Sequence, residues 1–578
     1  MKGVVTAMPE AFLVDFEPLG RRGEAHPGQT LLDAAQAAGV GLASVCGGAG
    51  TCEECRLRLA AGKLTSPTLV EQAALSQADL AAGFRLACQA EPLSDVKLDI
   101  PPESLTSTQR LQVEGLETHV TVKPAVLAPG AYGLAVDIGT TKLAAYLVRL
   151  ETGETAAKAG AMNPQIAFGE DVISRIAYAG REPDGAKMLQ KVLVETLNKL
   201  LAEMCAEAPV SPNSVLDAVL VGNTVMHHLF VGLPVEQLGH APFTPATTRP
   251  LSIPARQLGL NLGPGAKAYL PPVIAGYVGA DHVAMLLATG ISSSPEEIKP
   301  RSRAEHLETH LESSRTHLHS PAPASRAGVQ QVQVSPLHGK KIIALDIGTN
   351  TEISLAANGK IICCSCASGP AFEGAHIHAG MRAAPGAIER ARWSDGKILW
   401  QSIGSLPPVG ICGSGILDVV AAMQDGRLVK PTGVLNTGSA SDLVLVPAVQ
   451  TGLGRDLVVT RKDVHEIQLA KSAIRVGVEI LLQNAGLTYT DLDEFIVAGA
   501  FGTYLDLRSA VRTGMFPPLP LERFRQVGNA AGVGAKQMLV SVDKRREAET
   551  LAGQIGYVEL TSQATFMPLF LENLCFEI

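Results

Sequence analysis

The sequence predicts a multidomain α/β protein: a small N-terminal β-rich domain, a linker, and a large domain built from two related lobes. Three observations carry this. At 578 residues the chain exceeds what one hydrophobic core fills, since single cores stop growing near roughly 250–300 residues. Beyond position 132, strand-like apolar runs alternate with helical patterns for nearly four hundred residues. A strand ending in Asp-x-Gly-Thr occurs twice in that stretch, about 200 residues apart. A hydrophobic fraction of 46% against 18% charged residues excludes disorder as the overall state. No 18-residue stretch lacks both charges and breakers, so no spanning helix is expected. Glu10 and Asp15 interrupt the start before a signal-peptide core could form, which makes the cytoplasm the expected compartment. Half of the net charge of -8 falls in the first hundred residues, which argues against a nucleic-acid partner.

The elements follow in order. Phe12–Phe16 and Arg21–His26 read as a hairpin around Pro18-Leu19-Gly20, and Thr30 can cap a helix carrying Leu31, Leu32 and Ala35. Next, SVCGGAGTCEEC and FRLACQA give Cys46, Cys52, Cys55 and Cys88 the spacing C-x5-C-x2-C-x32-C. Ten cysteines in a long cytoplasmic chain are not expected to pair as disulfides, so spacing decides their role. An iron–sulfur cluster needs converging thiolates. A tight loop presents three only where glycines such as Gly47, Gly48 and Gly50 let the backbone bend. Zinc would want paired C-x2-C knuckles rather than one pair and two singles. Arg56–Leu59 and Val96–Ile100 supply further strands. Residues 1–100 resemble the β-grasp ferredoxins, and the x5 loop is similar to that of their adrenodoxin-like [2Fe-2S] branch. The resemblance implies a [2Fe-2S] cluster on the four cysteines.

Residues 101–131 lack a sustained period and read as a linker with one or two strands, ahead of a large domain spanning 132–578. Gly133–Val136 ends in Asp137-Ile138-Gly139-Thr140-Thr141-Lys142 and continues into Leu143–Val148. Ile342–Leu345 ends in Asp346-Ile347-Gly348-Thr349-Asn350-Thr351 and continues into Ile353–Leu355. A hairpin with glycine at its tip exposes N–H groups and hydroxyls to a phosphate, while the preceding aspartate faces a hydrated divalent cation. One such turn is common between strands, but two in matching settings carry weight. The duplication resembles the actin, sugar kinase and Hsp70 superfamily, a ribonuclease H-like architecture whose two lobes clamp a nucleotide with one phosphate hairpin each. Its third signature, a glycine turn against adenosine, has a counterpart in Phe495–Gly502, which contains Gly499 and Gly502.

Ahead of that turn, Asp463 and Glu466 fit a capping box for a helix through Gln468 and Lys471, which share a face and either reach a ribose or meet solvent. Gly410–Gly415 precedes the apolar helix Ile416–Met423, so amides around Gly413 and Ser414 either meet an anion or close a tight loop. Gly222-Asn223-Thr224 has the same strand-to-helix position. His227 and His228 adjoin on the following helix and cannot face one ion together, which favours packing.

GEDVISRI (169–176), GNTVMHHL (222–229), YVGAD (277–281), CASGPAFEGA (366–375), GICGSGILD (410–418) and VAGAFGTYLD (497–506) resemble motifs of the reductive activators of corrinoid proteins. The resemblance covers essentially the full length apart from 292–340. It implies ATP-driven reduction of an inactive Co(II) corrinoid protein to the Co(I) methyl acceptor of a methyltransferase system. It also implies a low-potential electron donor and a homodimer, while the charge balance and the lack of a spanning stretch argue against nucleic-acid and membrane partners. On this reading the four cysteines transfer the electron, and Asp137 and Asp346 hold Mg²⁺ and its water. Gly139, Thr140, Thr141, Gly348, Thr349 and Asn350 hold the phosphates, and Lys142 either neutralises one or is solvated. A small-molecule kinase with a regulatory cluster and a non-catalytic nucleotide-dependent redox sensor are the competing readings.

Two features are set aside. Cys363, Cys364 and Cys366 lack cluster spacing and alternate faces of a strand, so they read as buried hydrophobes. Residues 292–340 hold five of the fourteen histidines among serines, prolines and charges and read as a mobile insertion.

Overall fold

The computed structural model describes residues 11–42, 50, 55–101, 104, 120–169, 171–291, 339–374, 376–438 and 441–576. Cys46, Cys52 and the histidine-bearing stretch 292–338 therefore lie outside the described residues.

The N-terminal domain is a five-stranded mixed sheet of β1 (Phe12–Glu17), β2 (Arg21–Ala25), β3 (Arg56–Ala61), β4 (Phe84–Leu86) and β5 (Val96–Asp99) in the order β2-β1-β5-β3-β4. Helix α1 (Leu31–Ala37) lies across it, which is the β-grasp arrangement, and Thr30 caps it in a reciprocal box with Asp33. Alternation in β1 sends Val14 and Phe16 inward against Leu31, Leu57, Leu86 and Leu98. Cys55 and Cys88 are buried members of this core. The free amides of Leu31 and Leu32 at the start of α1 donate to the carbonyls of Ala90 and Ala87 on either side of Cys88, both at 2.9 Å. Arg85 forms a forked pair with the buried Glu71, both bonds 2.8 Å long, which fixes the strand leading to Cys88.

The large domain has two six-stranded sheets. The first contains β6 (Tyr132–Ile138), β7 (Lys142–Arg149), β8 (Thr155–Met162), β9 (Val215–Gly222), β10 (Leu251–Pro254) and β11 (Lys267–Leu270) in the order β10-β11-β9-β6-β7-β8. The second runs from the strand Phe524–Gly528 through Glu494–Ala498 to β12 (Ile342–Ile347), β13 (Thr351–Ala357), β14 (Lys360–Cys366) and the strand Ile555–Tyr557. Its near-continuous apolar strands are buried on both faces. The helices Ala280–Thr289 and Ala530–Val540 pass between the sheets so closely that a Cβ on Gly534 would meet the Ala284 carbonyl at 2.1 Å. Val283, Ala284 and Leu287 pack toward the first sheet, Met285 and Leu286 toward the second. Helical periodicity thus lets one element serve two cores.

On β14, Cys363 packs on one side with Ile342, and Cys364 and Cys366 pack on the other with Ile353, as alternation requires. The long helix Arg461–Asn484 is capped by Thr460, whose box partner is Asp463; the Asp463–Glu466 box expected from the sequence is corrected by one turn position. None of the helices among the described residues is long and apolar enough to cross a membrane.

Candidate functional site: a cleft between two glycine hairpins

The two glycine turns close equivalent hairpins. In the first, Asp137 pairs across to Ala144 and Gly139-Thr140-Thr141 forms the turn; in the second, Asp346 pairs to Glu352 around Gly348-Thr349-Asn350. The duplication extends to the neighbouring parallel strands. β9 runs beside β6 and ends at Gly222-Asn223, whereas Glu494–Ala498 runs beside β12 and ends at Gly499. Gly139 admits no side chain, because a Cβ would lie 2.5 Å from the Lys142 carbonyl. Gly499, at φ +90°, would bring a Cβ within 2.7 Å of Asp346 Oδ1.

Both hairpins open into one cleft, lined by Asp137, Gly139, Thr140, Thr141, Lys142, Asp346, Gly348, Thr349 and Asn350 together with Gly413, Ser414 and Gly499. Cys412 precedes the helix Gly413–Asp425, and Cys412, Gly413 and Ser414 line the cleft at the start of that helix. Phe372, Phe501 and Tyr504 form an aromatic wall, the two phenylalanine rings stacked with centroids 4.8 Å apart.

Carboxylates crowd the floor. Burial and the facing charge of Asp346 push Asp137 up to about 7, and burial pushes Asp346 up to about 6. Asp281 and Glu352 also line the cleft; Asp281 is raised by burial and by Asp346 and Asp137, and Glu352 by burial and by Asp281 and Asp346. Asn529 orients Asp137 by a side-chain hydrogen bond while its Oδ1 accepts the Gly532 amide at 2.7 Å. Between the hairpins lies Glu373. Thr141 Oγ1 donates to it at 2.7 Å and Thr349 Oγ1 at 2.5 Å. Beneath the first turn, the fully buried Arg175 donates to the Thr140 carbonyl at 2.5 Å and the Gly169 carbonyl at 2.9 Å. Asn223 Nδ2 holds the Thr140 hydroxyl at 2.8 Å.

Two expectations are corrected. Gln468 and Lys471 share a face, but it is turned away from the cleft: Gln468 Nε2 donates to the Leu574 carbonyl at 2.8 Å and Lys471 Nζ to the Cys575 carbonyl at 2.6 Å. Their side chains tie down the C-terminal segment. Gly502 packs behind the turn, where a Cβ would meet Val497 Cγ1 at 2.9 Å. His227 and His228 pack ring to ring, 5.2 Å between centroids, in agreement with the packing role. Asp281, Glu373, Arg175 and Arg382 were not singled out in the sequence, although YVGAD, CASGPAFEGA and GEDVISRI carry the first three; a lone acid or base in such a motif gives no periodic signal.

The described half of the cysteine set fits a cluster. Cys55 and Cys88 are buried and on adjoining segments, with the Ala87 amide donating to the Cys55 carbonyl at 2.9 Å. Gln89 Nε2 lies 3.7 Å from Cys88 Sγ, an amide donor of the kind that tunes cluster sulfurs. Gly50 adopts φ +78°.

Comparison with known proteins agrees with this division. A 2Fe-2S iron-sulfur cluster binding domain matches residues 14–93, the middle region of the corrinoid reductive activator RACo matches 132–294, and the C-terminal ASKHA domain of RACo matches 340–577. The corrinoid activation enzyme RamQ of Eubacterium limosum is 32% identical over 462 residues, covering 77% of this chain and 70% of that one. The [Co(II) methylated amine-specific corrinoid protein] reductase of Methanosarcina barkeri is 24% identical, with 77% of each chain covered. The solved structure of a reductive activator for corrinoid,iron-sulfur protein aligns over 98% of both chains at 28% identity, with a TM-score of 0.65. This coverage, with the ferredoxin domain and both hairpin lobes in the same order, shows that the chain belongs to the family of reductive activators of corrinoid proteins.

Proposed function

We propose that this protein couples ATP hydrolysis to transfer of one electron from a [2Fe-2S] cluster to a Co(II) corrinoid protein, regenerating Co(I) for methyl transfer. The observation that carries the reading is the union in one chain of a cysteine-bearing β-grasp domain and a cleft into which two aspartate hairpins face.

Cys46, Cys52, Cys55 and Cys88 hold the cluster, which supplies one-electron chemistry near about −400 mV. Reduction of a couple about 100 mV lower costs ~2.3 kcal/mol, within reach of a nucleotide-driven change of shape. Asp137 and Asp346 bind Mg²⁺ and its water, and Asp281 completes the acidic floor. The amides and hydroxyls of both turns, with Gly413 and Ser414, hold the phosphates, and Lys142 neutralises part of their charge. Gly499 lets the adenosine approach, with Phe372, Phe501 and Tyr504 as the wall for its base. The Thr141 and Thr349 hydroxyls that now bind Glu373 turn to phosphate oxygens. A low-potential donor reloads the cluster, and the active species is a homodimer.

The test is anaerobic absorbance spectroscopy. Reduced protein, MgATP and a Co(II) corrinoid protein are mixed, and the Co(I) band is followed. ATP-dependent growth of that band is expected; no band with any methyltransferase corrinoid protein, despite normal ATP binding, overturns the reading.

A further inference from the structure

The iron–sulfur domain is fastened to the second lobe by two buried arginines that reach across the boundary in opposite directions. Arg21, at the start of β2, binds its own domain through Nε to the Ala38 carbonyl at 2.7 Å. Its Nη atoms leave the domain, Nη1 to the Gly380 carbonyl at 3.2 Å and Nη2 to the Val409 carbonyl. Arg382 makes the return contact: Nη1 donates to Glu17 Oε2 at 2.6 Å and to the Pro18 carbonyl, and its amide donates to the Leu19 carbonyl at 3.1 Å. Glu17 is 2% exposed and Arg382 6%. Arg382 also lines the nucleotide cleft, with Nη2 3.9 Å from Glu373 Oε2. A single guanidinium therefore stands between two carboxylates, one on the electron-carrying domain and one at the phosphate hairpins.

We propose that Arg382 is a positioning residue through which nucleotide binding loosens the iron–sulfur domain from the second lobe. This deepens the activator reading and rests on it. The sign follows from charge. A triphosphate competes for the Thr141 and Thr349 hydroxyls that Glu373 now accepts, and like charge drives that carboxylate aside. Released from the hydroxyls, Glu373 closes its 3.9 Å gap to Arg382; the triphosphate itself attracts the same guanidinium. Both pulls draw Arg382 toward the cleft and away from Glu17. Glu17 keeps Lys97 Nζ at 3.9 Å but loses its 2.6 Å guanidinium contact, which weakens its hold on the second lobe, so the contact opens on the side of the iron–sulfur domain. Val409 and Cys412 flank the same short strand, so the Arg21 anchor is tied to the cleft wall as well. Release frees the carrier to move toward a partner when ATP is present.

Coupling is reciprocal, so a contact that nucleotide weakens must itself weaken nucleotide binding. The experiment uses the full-length, cluster-loaded protein with Mg²⁺ and the non-hydrolysable analogue AMP-PNP, without a corrinoid partner. Amide hydrogen exchange is followed at 17–23 and at Arg382, and AMP-PNP affinity is measured for wild type, Glu17→Gln and Arg21→Gln. AMP-PNP should speed interface exchange about fivefold or more in wild type, and each variant should bind AMP-PNP about fivefold more tightly, with interface exchange already fast before addition. Unchanged affinity in both variants, weaker affinity, or nucleotide-induced protection of the interface would overturn the proposal while leaving the activator reading in place. Failure of wild type to bind AMP-PNP at all would remove the activator reading and this coupling with it.

Discussion

The hydroxyl oxygens of Thr141 and Thr349, 208 positions apart in the chain, lie 3.3 Å from each other and share one carboxylate, that of Glu373. The two lobes thus meet through a triad of side chains. Because both threonines act on the same acceptor, their contributions cannot be independent. Thr141→Val and Thr349→Val should each weaken Mg-nucleotide binding about tenfold, the loss of one hydrogen bond to a charged group. The double variant should depart from additivity in stability by about 0.5 kcal/mol or more, because the second substitution removes a bond whose acceptor is already half-released. Urea unfolding of the four proteins in the cycle measures the term; strict additivity would mean that the hydroxyls do not share Glu373.

The acidic floor sets stability against function. Asp137 has a folded pKa of about 7 against an ordinary 3.8, raised first by burial and then by Asp346. The folded chain therefore holds a proton that the unfolded chain releases. Stability from this group is full below about pH 4 and is lost as pH rises to 7. At pH 8 the ionised, buried carboxylate costs up to about 4 kcal/mol. Asp137→Asn keeps the shape and leaves an oxygen to accept from Asn529. It should raise the unfolding temperature of nucleotide-free protein in EDTA at pH 8, with the gain shrinking at pH 5, while eliminating Mg-dependent ATP hydrolysis. Calorimetry at the two pH values provides the check. Destabilisation at pH 8 would show that the carboxylate is paired more favourably than its surroundings imply.

What the sequence disclosed and what it hid separate along physical lines. Asp137, Gly139, Asp346 and Gly348 were legible because a strand, a glycine turn and a second strand form a local pattern, and its recurrence made it specific. Cys55 and Cys88 were legible from spacing. Glu373 and Arg382 were not, since their meaning lies in contacts across 232 and 365 positions, to Thr141 and Glu17, that no local window contains. Gln468 and Lys471 misled for the opposite reason: their spacing placed them on one helical face, but spacing does not say what covers that face.

What covers it is the C-terminal segment. Lys471 is 1% exposed, its ammonium binds the Cys575 carbonyl and lies 5.2 Å from the Phe576 ring, and Ser472 Oγ donates to the Phe570 carbonyl at 2.6 Å. Lys471→Met should therefore destabilise the protein by about 1–3 kcal/mol, removing the charged hydrogen bond to the Cys575 carbonyl, and change nucleotide affinity less than twofold. Denaturant unfolding and nucleotide titration on the same preparation distinguish this from a ribose contact, which predicts the reverse pattern.

The two halves of the machine should fail separately. Cys88→Ser removes one thiolate of the proposed cluster set at a residue packed in the N-terminal core, remote from the cleft lining. It should abolish cobalt reduction and the visible iron–sulfur absorbance, with nucleotide affinity within twofold of wild type. Asp346→Ala should retain the absorbance and lose ATP hydrolysis. Loss of both properties in either variant would contradict the division of labour.

Arg175 supplies the sharpest separation of charge from geometry. It is 0% exposed, and burial lowers its pKa to about 9, so it remains cationic at neutral pH beneath the first glycine turn. Its planar fork spans the carbonyls of Thr140 and Gly169 and the Gln165 side chain at 3.2 Å. Lysine preserves the charge but cannot bridge three acceptors in one plane; methionine removes both. If the role is to hold the turn in place, Arg175→Lys and Arg175→Met should both weaken nucleotide binding about tenfold, and Met should additionally lower stability by several kcal/mol through the unpaired carbonyls. If only the positive charge matters, lysine should restore affinity to near wild type. Isothermal titration with Mg-nucleotide at low and high salt decides between them, because a purely electrostatic contribution is screened and a geometric one is not.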